Sequence, residues 1–173
     1  MFFDQFIASF DKPPAGLTFD IDSYDDPAHG QPQLVLSHGY YNQYQDQPQL
    51  ITYAQNDQIV ILCLLFGSAH PALDAHEDVR PLAKWLCAHW SEMEIILRAD
   101  AGFDVPRMFD VCEKLDVRYT FGIRLNNVLK RKSAEILDKS VVLQKSGQRS
   151  QRLFRSFQYR AGTWSNLCLA IVK

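Results

Sequence analysis

Two short segments in which an apolar run ends in carboxylates constrain the fold of this chain more than any other feature. Residues 17–23 read LTFDIDS, and residues 94–102 read EIILRADAG. A buried strand tolerates an ionised carboxylate only where a cation or hydrogen-bond donors compensate for its lost hydration. We therefore expect two strands whose acidic ends meet around a divalent cation, an arrangement that favours phosphoryl-transfer chemistry.

Alternation along the first strand gives its two acids a common face. Leu17, Phe19 and Ile21 are predicted to point to one side, and Asp20 and Asp22 to the other, about 7 Å apart by the rise of a strand. The residues alone do not decide which of the two acids is the principal metal ligand.

The second strand leaves open which group Arg98 pairs with. Arg98 shares a face with Asp100, so its guanidinium has two possible partners, a carboxylate of the site or a nucleic-acid phosphate.

The net charge of −2 over 173 residues conceals an asymmetry. Residues 1–138 carry 11 Lys+Arg against 20 Asp+Glu, whereas residues 139–173 carry 7 Lys+Arg and no acid. A basic strip interleaved with aromatic residues is typical of a surface that contacts a phosphate backbone. An ordinary solvent-exposed strand face, whose aromatic residues belong to the core, has the same composition. The strip includes Lys145, Arg149, Arg152, Arg155 and Arg160, with Phe154, Phe157, Tyr159 and Trp164.

Composition places the chain among ordinary globular proteins, with 47% hydrophobic and 22% charged residues. No apolar run approaches the roughly 20 residues that span a bilayer, and the N-terminus lacks the features of a signal peptide. The four cysteines form no C-x-x-C pair, which favours reduced thiols over a zinc site. We expect a cytoplasmic protein that does not enter membranes.

Hydrophobic periodicity predicts the order of the elements. Residues 1–14 are typical of the end of an upstream helix and a linker. Successive β segments then follow without a helix between them, which predicts an antiparallel meander with Ile59–Phe66 as a central strand. The predicted strands are Leu17–Ser23, Leu34–Tyr41, Leu50–Ala54, Ile59–Phe66, Glu94–Asp100, Val117–Ile123, Leu153–Arg160 and Leu167–Val172, and the predicted helices are Leu73–Trp90, Val105–Leu115 and Asn126–Leu137.

A meander that leads into β-α units predicts an α/β fold with a mixed sheet flanked by helices. This is the order of an RNase H-like core, in which acids on the first and fourth strands lie side by side. We expect residues 1–173 to form a single such core, with a basic β-rich segment at residues 139–173.

Four sequence blocks resemble the group 1 DDE transposases of bacterial insertion sequences. The first, FDIDSYDDPAHG at residues 19–30, resembles the family pattern LDIDATDDPTHG, and SHGYY at residues 37–41 resembles NGYYG. FGSAH at residues 66–70 resembles RPGNAH, and RADAGF at residues 98–103 resembles RGDSGF. Four blocks in the same order make this a specific resemblance over roughly residues 7–130.

The resemblance implies DNA transposition, with metal-dependent strand cleavage and strand transfer at the ends of an insertion sequence. It implies that Asp22 and Asp100 are catalytic ligands of Mg²⁺ or Mn²⁺, and that Asp20 is a supporting acid. The expected partners are transposon-end double-stranded DNA and a second copy of the full-length protein. Candidate DNA-binding residues are Arg98, Arg149, Arg152 and Arg155.

The family's third acid, a Glu on a later helix, has no counterpart in this sequence. We therefore expect an incomplete core that is inactive by itself, and whether the chain is an enzyme stays open. One alternative is a non-catalytic DNA-binding or dimerising transposase remnant.

A less favoured alternative is a haloacid-dehalogenase-like phosphatase, with Asp20 as nucleophile and Asp22 as acid/base. Asp100 and Asp104 fit its later acidic motif loosely, but Lys84 is the sole candidate for its lysine. The predicted β meander also stands where that fold requires a helix.

Overall fold

A computed structural model describes residues 2–30, 35–39, 42–146 and 152–173. The chain divides into two compact units, unit 1 (residues 1–123) and unit 2 (residues 124–173). The elements of unit 1 are α1 (Phe2–Ala8), β1 (Gly16–Ser23), β2 (Asp26–Pro27), β3 (Leu36–His38), β4 (Gln43–Tyr53), β5 (Gln58–Phe66), α2 (Ala75–His89), β6 (Glu94–Ala99), α3 (Pro106–Lys114) and β7 (Arg118–Phe121). Those of unit 2 are α4 (Asn127–Lys145), β8 (Arg155–Tyr159) and β9 (Cys168–Val172).

The long strands of unit 1 form a mixed sheet in the order β5-β4-β1-β6-β7, and the short strands β2 and β3 also pair with β4. β4 runs antiparallel to both β1 and β5, whereas β6 runs parallel to β1 and to β7. An antiparallel meander is thus followed by β-α units, which confirms the predicted α/β mixed sheet of the RNase H-like type. The first and fourth long strands in chain order, β1 and β6, are neighbours.

One face of the sheet packs against the three helices of unit 1. Phe19 of β1 is fully buried, and its ring lies 5.8 Å from that of Phe6 of α1 and 6.2 Å from that of Tyr53 of β4. The apolar side chains of α2 and α3, such as Leu86 and Met108, belong to the same core. The predicted alternation in β1 is confirmed, because Asp20 and Asp22 lie on the other face of the strand, half-buried and exposed.

β4 is longer than the sequence predicts. The sequence predicts a strand that begins at Leu50, but β4 begins at Gln43 and includes the polar stretch between the two predicted strands. Every second residue of that stretch is a buried glutamine, with Gln45 0%, Gln47 5% and Gln49 1% exposed. Side-chain hydrogen bonds compensate in part: Gln43 Nε2 donates to Gln45 Oε1 (2.8 Å), and Gln49 Nε2 donates to the carbonyl oxygen of Pro71 (2.6 Å).

β5 is not the central strand that its apolar sequence predicted. Among the described strands it pairs with β4 alone, so it lies at an edge of the sheet. Its side chains alternate in burial, and four large apolar ones are exposed: Ile59, Leu62, Leu64 and Phe66. The prediction assumed that a continuous apolar run is buried on both faces, which does not hold for this strand.

In unit 2, the antiparallel β8–β9 hairpin contacts α4. Asn126 caps α4 by accepting hydrogen bonds from the backbone N–H groups of Val128 and Leu129, and its Nδ2 donates to the hydroxyl of Tyr159 (2.7 Å). α4 runs to Lys145 rather than to the predicted Leu137, so residues 139–145 are helical. No helix within the described ranges is long and apolar enough to cross a membrane.

Candidate active site at the ends of β1 and β6

The two acids of the sequence motifs lie next to each other at the ends of parallel strands. The β1–β6 ladder pairs Asp20 with Arg98 and Ile21 with Ala99, and the next residues along the two strands are Asp22 and Asp100. Neighbouring strands are about 4.8 Å apart, so this register brings Asp22 and Asp100 to adjacent positions on the same face of the sheet. Both side chains are exposed.

Asp100 is held by the turn that follows it. Its backbone is extended, and its Oδ1 accepts a hydrogen bond from the backbone N–H of Gly102 (2.7 Å). A Cβ at position 102 would lie 2.9 Å from that Oδ1, and one at Gly122 would lie 2.7 Å from the nitrogen of Ala101. Two glycines therefore permit the close packing that fixes this carboxylate.

Asp22 has a comparable local contact. Its Oδ1 accepts a hydrogen bond from the backbone N–H of Ser23 (2.8 Å). The hydroxyl of Ser23 in turn accepts from Nε2 of the buried Gln47 (3.3 Å). Within the described ranges, the Oδ2 atoms of Asp22 and Asp100 make no hydrogen bond, so each carboxylate keeps one oxygen for a ligand.

Asp20 uses both of its oxygens. Nε of Arg98 donates to Oδ1 and Nη2 donates to Oδ2, each at 2.6 Å. The hydrogen bonds that Arg98 donates to Asp20 raise the pKa of Arg98. Of the two partners that the sequence allowed for Arg98, the structure therefore shows the carboxylate.

The acids line an open cavity of about 330 Å³. Thr52 and Leu50 of β4 lie in its wall because they pair with Asp20 and Asp22 in the β1–β4 ladder. Tyr24 and Asp57 also line it, and Asp57 sits in a turn with φ 57°. Sequence reasoning missed these four residues. The strand register brings Leu50 and Thr52 to the site, whereas Tyr24 follows Asp22 by two residues in the chain.

The donor atoms suit a divalent cation in one particular binding mode. Among the residues described, no group of three or more His, Cys, Asp or Glu side chains is arranged to hold a metal ion. Mg²⁺, however, commonly uses one or two carboxylates and completes its shell with water and phosphate oxygens. Asp22 and Asp100 fit that mode, with the exposed cavity leaving room for the remaining ligands.

The candidate DNA-binding residues of unit 2 occupy different settings. Arg155 forms an ion pair with Glu135, which also accepts from Lys139 (3.1 Å). Arg152 is exposed, and Arg149 lies outside the described residues.

The aromatic residues of the basic strip are mostly part of the packing of unit 2. Tyr159 and Trp164 are buried, with ring centroids 5.4 Å apart, and Lys132 Nζ lies 5.2 Å from the centroid of the half-buried Phe157 ring. Phe154 is exposed. Most of these rings are therefore unavailable for stacking on bases.

A family model for the transposase DDE domain, group 1, matches residues 1–173. The chain belongs to this transposase family. Proteins of the family generally use divalent metal ions, in agreement with the donor set described above. None of the curated proteins searched matches the chain.

Two solved structures are similar to this transposase domain at low identity. One is a chain of the simian T-cell lymphotropic virus intasome in complex with the PP2A regulatory subunit B56 gamma, with 10% identity over 79% of this chain and a TM-score of 0.35. The other is the piggyBac transposase synaptic complex with hairpin DNA, with 14% identity over 92% of this chain and a TM-score of 0.41. The domain spans 43% and 33% of those two chains, less than half of either.

Proposed function

We propose that this domain acts in DNA transposition, by cleaving and joining transposon-end DNA with Mg²⁺ or Mn²⁺ held by Asp22 and Asp100. The observation that carries the proposal is the β1–β6 register, which brings the acids of two family motifs to adjacent strand ends. Asp22 is favoured over Asp20 as the ligand because both oxygens of Asp20 are engaged by Arg98.

The reaction is an in-line displacement at phosphorus. In cleavage, the oxygen of water attacks a phosphodiester, the bond from phosphorus to the 3′-oxygen breaks, and that oxygen leaves as a 3′-hydroxyl. In joining, this 3′-hydroxyl attacks a phosphodiester of the target strand, the 3′-oxygen of that target phosphodiester leaves, and the proton of the attacking hydroxyl passes to the leaving oxygen or to solvent. Divalent ions stabilise the attacking and leaving oxygens in such displacements. Asp22 and Asp100 would present carboxylate oxygens to the ions, and the open cavity would leave room for the DNA backbone.

The proposed partners are double-stranded transposon ends and a second transposase subunit, in the cytoplasm of the host cell. The charge of unit 2 supports the DNA partner, because 11 Lys+Arg stand against 2 Asp+Glu in residues 124–173. An insertion sequence is the proposed source of the gene.

A non-catalytic DNA-binding remnant is the second candidate function. It is favoured by the donor set, since the described residues form no group of three or more His, Cys, Asp or Glu side chains arranged to hold a metal ion. The phosphatase alternative fits poorly, because the chain beyond Asp22 enters an antiparallel meander and the required nucleophile, Asp20, is paired with Arg98.

Metal binding tests the proposal independently of turnover. We expect Mn²⁺ to raise the melting temperature of the purified chain, by the equivalent of about 1.4 kcal/mol at ten times the dissociation constant. Asp22→Asn and Asp100→Asn should fold normally and lose this shift.

Asp116→Asn is the matched control for these variants. Asp116 precedes β7, at the opposite end of the parallel strands, and its φ of 54° is one that Asn tolerates. A shift that survives in both site variants would show that the two acids do not hold the ion. A parent chain that binds DNA without any metal-induced shift would favour the non-catalytic remnant.

A further inference from the structure

The ion pair between Asp20 and Arg98 lies directly beneath the proposed metal ligands. The two residues are paired in the β1–β6 ladder, and each is two residues before a metal-binding acid on its own strand. Side chains two residues apart share a face and are separated by about 7 Å. The pair and the two ligands therefore form two successive rungs on the same face of the same two strands.

The two rungs differ in their electrostatics. Asp22 and Asp100 are like charges on neighbouring strands, an arrangement that destabilises strand pairing. Asp20 and Arg98 attract each other, and two parallel hydrogen bonds fix the plane of the guanidinium against that of the carboxylate. Attraction in one rung thus opposes repulsion in the next.

We infer that Asp20 and Arg98 are positioning residues, which hold the ends of β1 and β6 at the spacing where Asp22 and Asp100 share one cation. This inference rests on the proposed function of the same site. The pair acts through the two ligands, because both oxygens of Asp20 are already engaged by Arg98. Its geometry, rather than its charge, is what the site requires.

The solvent exposure of the Asp20–Arg98 pair indicates that the pair contributes little to the overall stability of the fold. The side chains of Arg98 and Asp20 are 51% and 38% exposed. Solvent screens a pair of this kind, and exposed ion pairs contribute little to stability. Substitutions should therefore leave the melting temperature of the metal-free chain nearly unchanged while changing the metal site.

Two single variants distinguish geometry from charge. Arg98→Gln makes the site more negative, and Asp20→Asn makes it less negative, so an effect of charge alone changes Mn²⁺ affinity in opposite directions. A positioning role predicts that both variants weaken Mn²⁺ binding, by about 10-fold, the lower end of the range for outer-shell partners of a metal site. Arg98→Lys, which keeps the charge but not the planar fork, should remain weak.

The chain provides a matched control in a second cross-strand ion pair, Glu94 with Arg118, between β6 and β7. It lies near the opposite end of β6, six residues before Asp100. Arg118→Gln should leave Mn²⁺ affinity within about two-fold, since it acts on the same sheet but not at the site.

Amide hydrogen exchange gives a readout without metal. The N–H of Gly102 donates to Asp100, and that of Gly122 donates to the carbonyl oxygen of Ala99 (2.9 Å), so both report on the end of β6. We expect Arg98→Gln and Asp20→Asn each to speed exchange at these amides by about 10-fold, and Arg118→Gln to leave it unchanged.

The outcomes separate this inference from the proposed function. Weaker Mn²⁺ binding and faster exchange in both variants support it. Opposite changes in affinity, or unchanged exchange, overturn it. If the parent chain binds no Mn²⁺, the proposed metal site fails, and exchange alone then decides whether the pair positions the strand ends.

Discussion

The two units of this chain differ in charge, and the difference separates two chemical tasks. Unit 1 carries 18 Asp+Glu against 7 Lys+Arg, and it contains the carboxylates of the candidate site. Unit 2 carries 11 Lys+Arg against 2 Asp+Glu. An acidic surface concentrates cations and a basic one attracts polyanions, so one chain offers a setting for each. The net charge of −2 reveals neither the acidic character of unit 1 nor the basic character of unit 2.

The units also differ in how they bury apolar surface. Unit 1 encloses its core between a sheet and three helices, with Phe6, Phe19 and Leu86 fully buried. Unit 2 rests one helix on a hairpin, whose larger buried side chains, Tyr159 and Trp164, are still 6% and 7% exposed. Small units bury a smaller fraction of their surface, so unit 1 should have the larger local stability.

Truncating one phenylalanine in each unit should give the largest effect. Phe19→Ala in unit 1 removes a fully buried ring and should lower the free energy of unfolding of that unit by about 3–5 kcal/mol. Phe157→Ala in unit 2 removes a half-buried ring and should cost about 1 kcal/mol. Hydrogen exchange at β1 amides for the first, and at β8 amides for the second, measures both. Equal losses would mean that the cores are equally well packed.

Neutralising exposed basic residues should affect DNA binding in one unit only. The triple variant Lys130→Gln, Arg131→Gln, Arg152→Gln in unit 2 should weaken duplex DNA binding by about 10-fold or more at low salt. Each lost phosphate contact should also reduce the slope of log K against log salt by about 0.9. Fluorescence anisotropy with a labelled duplex at several salt concentrations provides both quantities.

The matched control for this experiment is a triple variant of unit 1. Lys12, Lys84 and Lys114 are exposed, and changing all three to Gln removes the same charge. It should leave DNA affinity within about two-fold, since these residues are not in the basic unit. Equal weakening by the two triple variants would refute the division of tasks between the units.

Lowering the pH should change the stability of the two units in opposite directions, through one carboxylate in each unit. Both effects should be small. In unit 1, burial raises the pKa of Asp78, and the hydrogen bond from the thiol of Cys63 (3.2 Å) opposes the rise. A raised pKa means that the folded state binds the proton more tightly. Unit 1 should therefore gain stability as the pH falls from the raised value toward 3.8, the ordinary pKa of an aspartate.

In unit 2, hydrogen bonds from Lys139 and Arg155 lower the pKa of Glu135. This contribution is present above the ordinary value of 4.5 and is lost as the pH falls through the lowered pKa. Unfolding measured between pH 3 and 7 should show unit 1 gaining and unit 2 losing stability as the pH falls. Asp78→Asn should remove the trend in unit 1, and Glu135→Gln should remove the trend in unit 2. Trends of the same sign would contradict the assigned partners.

Much of unit 1 follows from local sequence signals. Alternation in residues 17–23 predicted both the strand and the face of its acids, because one face of β1 is a core of Leu17, Phe19 and Ile21. The apolar periodicity of α2 likewise predicted a helix close to its observed bounds, Ala75–His89. Where burial follows hydrophobicity, the pattern alone is sufficient.

Other features depend on contacts between distant residues. The glutamines of β4 look like a surface loop in the sequence, but they lie on the same buried face of the strand as Ile51, where Gln49 contacts the carbonyl oxygen of Pro71. The partner of Arg98 was equally undecidable, since its pairing with Asp20 requires the β1–β6 register. Such pairings bring together residues 78 positions apart, and no local pattern encodes them.

The edge position of β5 has a consequence for the behaviour of the chain in concentrated solution. An edge strand with exposed apolar side chains presents unpaired backbone groups beside a hydrophobic surface, which is a template for aggregation. A net charge of only −2 provides little repulsion between molecules. Colloidal stability should therefore depend on β5: replacing the exposed Leu64 with Lys should raise solubility without changing the fold.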